Sequence, residues 1–379
     1  MTMKLFDAHC HLQDPRILNK TPQLIATALD TGVVRFAVNG VSEKDWNLVK
    51  EMGESYPSVI PCFGLHPWFI EERTPNWFNT LKEFFQITPS AAVGEVGLDK
   101  GSHGKKIDFN DQVFLTEVIR MLELAKELNR PVSVHCVHAF GDLLEIMKYG
   151  WHGQVGLLFS KFNQNEKFFD VITFASRSCY ASQLPYLLVD LDKDSLNLSY
   201  IVSTFISFLL MDAVSNLSTG PFPAGVILHS FLGSAEMVPE FAKLGAYFSF
   251  SGFLMSMKKE KATKMLKAVS SDRILLETDA PDALPNGKFG SLFLVDGGIF
   301  HPKGENSSSN ADSLHDGDSH PSKDASALPR ETPNHPANIH NVLSYVASLL
   351  DITKQELAEL SYANAVRLFS YEGSKVLEK

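Results

Sequence analysis

His9 and His11 close the stretch Lys4-Leu5-Phe6-Asp7-Ala8-His9-Cys10-His11, an apolar run that ends in two imidazoles one residue apart. In an extended strand alternate side chains share a face, so both histidines face one way and Cys10 the other. Two neutral imidazoles on one face suit a zinc-class or similar divalent ion. Paired histidines also occur by chance, so the rest of the chain must carry the reading. Four more runs end in metal-competent residues: Glu95 in Gly94-Glu95-Val96-Gly97-Leu98-Asp99, His135 in Val134-His135-Cys136, His229 in Leu228-His229-Ser230-Phe231, and Asp279 in Glu277-Thr278-Asp279-Ala280-Pro281. Each has a bland alternative: a lone histidine packs and hydrogen-bonds, and Glu95 or Asp279 caps a helix. Their recurrence at five strand ends points instead to one convergent metal site.

Such a convergence needs elements that bring five strand ends to one rim. Eight strand-like runs are legible at 4–8, 33–38, 59–64, 91–97, 131–135, 225–229, 246–251 and 273–278. Between them lie amphipathic stretches at 43–54, 108–128, 140–148, 235–244 and 258–270, clearest where Val113, Val118, Leu122 and Ala125 recur at helical spacing. Strands alternating with helices imply parallel pairing through βαβ crossovers. Eight such units predict an α/β fold, a single (β/α)8 TIM barrel, with its site at the C-terminal ends of the strands.

The bulk properties agree with a large globular core. The chain has 379 residues, 44% of them hydrophobic, enough for one barrel domain. Its net charge of -10 argues against tight non-specific binding of nucleic acid, which is mostly phosphate neutralisation. The four cysteines, at 10, 62, 136 and 179, are not closely paired, which predicts reduced thiols and a cytoplasmic or nuclear setting. A first strand beginning near residue 4 leaves no room for a cleaved leader. The uncharged stretch 195–211 is at the short limit for a membrane span and contains Ser, Asn and Thr, so no membrane association is expected.

Two stretches break the rhythm. Residues 305–327 hold seven Ser, five acids and one Lys, within a low-complexity loop from about 297 to 330 that reads as disordered and acidic, after the eighth strand. Residues 154–219 form an irregular insertion before the sixth strand, rich in Phe, Leu and Ser without clean periodicity. These two segments hold much of the acidity, which weakens the charge argument against nucleic acid.

Taken in order, HxH, GExGLD, xHC, LHSF and ETDAP resemble the TatD family of metal-dependent deoxyribonucleases, in the amidohydrolase-like barrel superfamily. The resemblance covers 4–153 and 221–285 and resumes at Asn334-His335-Pro336-Ala337-Asn338. It implies that His9, His11 and Asp279 hold one divalent ion, that His135 and His229 hold a second, and that Glu95 bridges them. His66, in Gly64-Leu65-His66-Pro67, matches a family position lining the substrate phosphate. The metal would be Mg, Mn or Zn. The implied reaction is hydrolysis of DNA, as single strands or ends, with Asp279 as general base and no obligate protein partner. Two positions depart from the family pattern: Lys100 stands where an aromatic is frequent after Gly-Leu-Asp, and Val137 where Arg often follows His-Cys. The same barrel rim also hydrolyses amides and esters, so a small-molecule amidohydrolase is the alternative.

His135 and His229 are 94 positions apart, roughly four times what the resemblance leads one to expect. Removing 154–219 would join Trp151-His152-Gly153 to Gly220-Pro221-Phe222 as a short loop. The segment is therefore read as a retained-intron or other splice-variant insertion, on the barrel face opposite the metals, that could impair activity. A genuine accessory subdomain is the competing reading. Loop-closure cost grows slowly with length, about 0.6 kcal/mol per doubling, so a barrel can fold around it.

Overall fold

The fold is that of a computed structural model, which describes residues 3–102, 104–107, 118–149, 222–301, 328–329 and 331–377. Eight parallel strands run in sequence order: β1 (Leu5–Cys10), β2 (Val33–Asn39), β3 (Val59–Phe63), β4 (Ala92–Asp99), β5 (Val132–Val137), β6 (Val226–Leu228), β7 (Ala246–Phe250) and β8 (Ile274–Leu276). The chain is a (β/α)8 barrel. Its seam lies just beyond β8, where the Asp279 N–H donates to the His9 carbonyl at 3.0 Å and the His11 N–H to the Ala280 carbonyl at 2.7 Å. The strands are buried on both faces, which is why they read as near-continuous apolar runs.

Helices alternate with the strands: α1 (Thr21–Asp30), α2 (Trp46–Ser55), α3 (Trp77–Ile87), α4 (Val118–Leu128), α5 (Phe140–Tyr149), α6 (Val238–Lys243) and α7 (Lys259–Ala268). α1 to α4 and α6 pack on the sheet. In α2 the buried positions are Trp46, Val49, Met52 and Gly53, and the Trp46 indole donates to the Gly64 carbonyl at 2.8 Å. Residues 108–117, the first half of the helix expected at 108–128, lie outside the described residues. α1 and α3 were not among the stretches singled out by periodicity. Both carry it, with Thr21, Leu24, Ile25 and Ala28 buried in one and Trp77, Leu81 and Phe85 in the other.

Two helices follow the barrel, α8 (Ile339–Leu350) and α9 (Lys354–Leu368), the second begun by a Thr353–Glu356 capping box. The end of α9 and the residues after it cover the N-terminal ends of the strands. Asn364 donates to the carbonyl of Ile274 at 2.9 Å, and the Tyr371 hydroxyl to that of Ser90 at 2.7 Å. Phe369 stacks on Phe6 at 5.0 Å, within a cluster that includes Ile60, Ile227, Leu275 and Leu368. The opposite end of the barrel is thereby left for chemistry.

Between β8 and α8, β9 (Leu292–Phe293) and β10 (Ile299–Phe300) pair antiparallel. Ile299 and Phe300, near the start of the low-complexity stretch expected from about 297, pair in this hairpin. The serine-rich part, 305–327, lies outside the described residues, as does the insertion 154–219. Met1–Leu143 and Phe222–Lys379 together form one compact unit. Among the described residues no helix is long and apolar enough to cross a membrane, and the uncharged stretch 195–211 is again outside them.

Candidate metal centre

The motif around Glu95 is shaped by its glycines. Gly94 has φ +141°, and a β-carbon there would lie 2.8 Å from both Asn39 Oδ1 and the Ser133 β-carbon. Gly97 has φ +158°, and its β-carbon would run into the backbone carbonyl of His135. Glycine at both positions lets β4 bring Glu95 inward across an irregularity in the ladder, the pairing with β5 shifting register between Val93 and Val96. Past β8 the chain turns into the site through Asp279, at φ +51°, and past β6 through Ser230, at φ +44°. Both are in the left-handed region, which is costly for residues other than glycine and concentrates at functional sites.

Glu95 is 1% exposed, and neither of its carboxylate oxygens has a hydrogen-bond partner among the described residues. Imidazole nitrogens surround it instead. Oε2 lies 3.4 Å from His9 Nε2 and 3.2 Å from His11 Nε2. Oε1 lies 2.8 Å from His229 Nε2, 3.1 Å from His135 Nδ1 and 3.5 Å from His66 Nε2. One oxygen thus serves the β1 pair and the other the pair from β5 and β6. Asp279 Oδ1 stands 3.6 Å from His11 Nε2 and 3.8 Å from His9 Nε2. The sequence-predicted residues all meet here: His9, His11, Glu95, His135, His229 and Asp279, with His66 at the edge.

The outer nitrogens decide which way each ring presents its lone pair, an assignment made from hydrogen-bond partners. His11 Nδ1 is 2.8 Å from the Asn39 carbonyl, an acceptor only, so it carries the proton and Nε2 offers a lone pair inward. His135 Nε2 is 3.4 Å from Asp99 Oδ2 and His229 Nδ1 is 3.7 Å from Glu277 Oε1. The carboxylate fixes the same polarity at His135; at His229, whose Nδ1 has no hydrogen-bond partner among the described residues, the nearby charge favours it. His9 Nδ1 is 2.8 Å from the Ser133 hydroxyl, which accommodates either tautomer. His66 is reversed. Its Nδ1 accepts from the Trp68 N–H at 3.1 Å, so its proton is on Nε2 and points into the centre. Three rings are polarised as ligands, a fourth is compatible, and the fifth is polarised as a donor.

Burial sets the charges and the neighbours redirect them. Burial alone would push the Glu95 carboxyl up, but the charges of His66, His229 and His9 hold it well below the usual range. Burial lowers His9 to about 4, helped by the His229 charge. It also lowers His66 well below the usual imidazole value, consistent with the neutral tautomer. Burial is outweighed at His11, which Glu95 and Asp279 raise to about 9, and at His229, which Glu95 and Glu277 raise well above the ordinary value. Asp279 is raised to about 7 by burial. Three groups, His9–His11–Asp279, His9–Glu95–His229 and His66–Glu95–His135, bring ligand atoms within 4.8 Å of one another. A buried carboxylate without a hydrogen-bond partner, ringed by imidazole nitrogens, is what a cation would resolve, so the donor set fits a divalent metal.

Several contributors were not given roles from the sequence. Asp99, Glu277, Ser133 and the Asn39 carbonyl hold the rings from outside. Asp7 is fully buried and accepts from the Thr278 N–H at 2.8 Å, fastening β1 to the approach to Asp279, and burial raises its carboxyl to about 8. Asp99 and Glu277 stand inside the GExGLD and ETDAP runs, so their acidity at strand ends was the available signal. Lys100, at one position that departs from the family pattern, pairs with Asp142 at 2.6 Å. Cys10, Cys62 and Cys136 are free, buried thiols, and burial raises all three.

A parallel eight-stranded barrel with carboxylates and imidazoles gathered at its C-terminal rim defines a hydrolase of the metal-dependent (β/α)8 class. The family described as TatD related DNase matches residues 6–195 and 209–370. The chain belongs to that family. The break in the match, 196–208, falls inside the segment 154–219. The metal-dependent hydrolase YabD of Bacillus subtilis is 23% identical over 365 residues, covering 96% of this chain and 98% of that protein. The 3'-5' ssDNA/RNA exonuclease TatD of a Pantoea species is 21% identical over 283 residues, covering 74% and 81%. Among solved structures, the TatD homologue YjjV of Escherichia coli shares the fold with a TM-score of 0.62 at 19% identity, covering 98% of this chain and all of that one.

Proposed function

We propose that this protein hydrolyses phosphodiester bonds in DNA, with His9, His11 and Asp279 holding one divalent ion, His135 and His229 a second, and Glu95 joining the two. The observation that carries this reading is the Glu95 carboxylate, which turns one oxygen to each histidine pair and hydrogen-bonds to neither. When bound, such ions supply Lewis acidity and a water made nucleophilic near neutral pH. The remaining work falls to the side chains. Asp279, above the seam and with a carboxyl near 7, accepts the proton of the attacking water when ionised. His66 directs its Nε2–H toward the centre and donates to a non-bridging phosphoryl oxygen as negative charge builds there. The water oxygen bonds to phosphorus, the bond from phosphorus to the leaving alcohol breaks, and no protein nucleophile is required. Cys10 and Cys136, buried with raised thiol values, take no part.

The test is metal content together with hydrolysis of labelled single- and double-stranded DNA, by the wild type and by Glu95→Gln. The variant should lose bound metal, and its rate should fall by roughly a thousandfold or more. Equal rates and equal metal content in the two proteins would overturn the assignment.

A further inference from the structure

Among the described residues two large aromatic side chains are exposed, Trp68 at 39% and Phe253 at 43%. Trp68 lies in the loop after β3 and Phe253 in the loop after β7. The strands are laid around the barrel in sequence order, so these loops stand on opposite sides of the mouth with Glu95 between them. The Trp68 ring and the Phe253 backbone are both tied to the centre. The Trp68 indole meets His66 edge-on at 4.8 Å and donates from Nε1 to Asp99 Oδ2 at 2.5 Å. The Phe253 N–H donates to Ser251 Oγ at 3.4 Å, and Ser251 shares a hydrogen bond of 2.6 Å with Ser230, which donates to Glu277 at 2.7 Å.

A charged feature adjoins one of them. The chain leaves Phe253 for the first turn of α7, where Lys258, Lys259 and Lys261 are exposed with Glu260 the only acid among them. Neither Lys258 nor Lys259 forms an ion pair among the described residues. In a chain of net charge -10, a basic run at the mouth beside an exposed ring is a specific pairing. Aromatic platforms followed by cations along a track are the means by which unpaired nucleic acid is held. In a duplex both faces of each base are already covered by neighbours, so only a single strand has faces to offer.

We propose that the mouth takes a single strand with one base stacked on Trp68, another on Phe253 and the scissile phosphate between them over Glu95, and that Lys258 and Lys259 hold the backbone beyond Phe253. This rests on the phosphodiester reading of the same centre. The test compares the metal-loaded wild type with Phe253→Ala, Trp68→Ala, Trp68→Phe and Lys258→Ala/Lys259→Ala. The substrates are a labelled single-stranded oligonucleotide and the same oligonucleotide made abasic around the cleaved bond. Phe253→Ala and Trp68→Ala should each raise KM on the base-bearing strand by roughly tenfold and narrow its advantage over the abasic one. Trp68→Phe keeps a platform while losing the Asp99 bond, and should restore KM. The lysine pair should flatten the log–log salt dependence by roughly 1.4, about 0.7 per phosphate contact. Ile87→Ala, an exposed apolar position at the end of α3, serves as control and should behave as wild type. Wild-type KM in both alanine variants, or equal losses on the two substrates, would overturn the stacking role. If the wild type cleaves neither substrate, the phosphodiester reading fails; fluorescence anisotropy of the bound oligonucleotide then still decides the stacking role, which stands if the alanine variants bind it more weakly and falls if they bind as wild type.

Discussion

The two halves of the centre hold their imidazoles by different means. On the β1 side His9 and His11 are steadied by uncharged groups, the Ser133 hydroxyl at 2.8 Å and the Asn39 carbonyl at 2.8 Å, and a carboxylate, Asp279, stands at the inner edge. On the other side His135 and His229 are backed by carboxylates, Asp99 and Glu277, and share Glu95 as their inner acid. A carboxylate behind an imidazole raises its basicity as a ligand. One half thus places its negative charge where water would be activated, and the other behind its ligands. The arrangement suits a division between a half that does chemistry and a half that anchors.

Asp279→Asn bears on that contrast most heavily. If Asp279 belongs to the reactive half, kcat should fall by roughly a hundredfold to ten-thousandfold, while metal bound by His135 and His229 is retained. Loss of all metal, or an unchanged kcat, would show that the halves do not divide the work this way. Asp99→Asn should weaken metal binding by roughly ten- to a hundredfold, read by titration of the demetallated protein. Ser133→Ala should weaken it only a few-fold. Equal losses in these two variants would erase the asymmetry. The smallest effect is on stability. An ion at a hundred times its dissociation constant stabilises the native state by about 2.7 kcal/mol, so chelation should lower Tm by about 3 °C. Glu95→Gln should be insensitive to the chelator.

How much of this was legible in the sequence differs between ligand and support. His9 and His11 announce themselves because period-two spacing at the end of an apolar run is a local pattern. Glu95, His135, His229 and Asp279 follow once the strands are counted. Their supports come from elsewhere: Ser133 sits on β5 but steadies a ring from β1, and Asn39 contributes only a backbone carbonyl. No spacing rule exposes such pairs. The polarity of His66 is likewise fixed by the Trp68 N–H, a fact of chain direction after β3. Strand ends were harder to place: β8 stops at Leu276, short of the apolar run, because Asp279 turns the chain inward at φ +51°. α3 escaped notice although Trp77, Leu81 and Phe85 recur every fourth residue, since Phe78 and Phe84 blur the stripe.

The floor of the barrel is furnished by residues from Asn364 to Tyr371, and its seam is stitched by Asp279 and Ala280 to the strand that begins at Leu5. During synthesis β1 therefore lacks a complete set of neighbours until residues far downstream, 279–280 and 364–371, have been made. Contacts of such long sequence separation form slowly and leave apolar edges open in the meantime. Until residues 364–371 and the Asp279–Ala280 seam are both in place, the apolar edges of the barrel stay open to wrong partners.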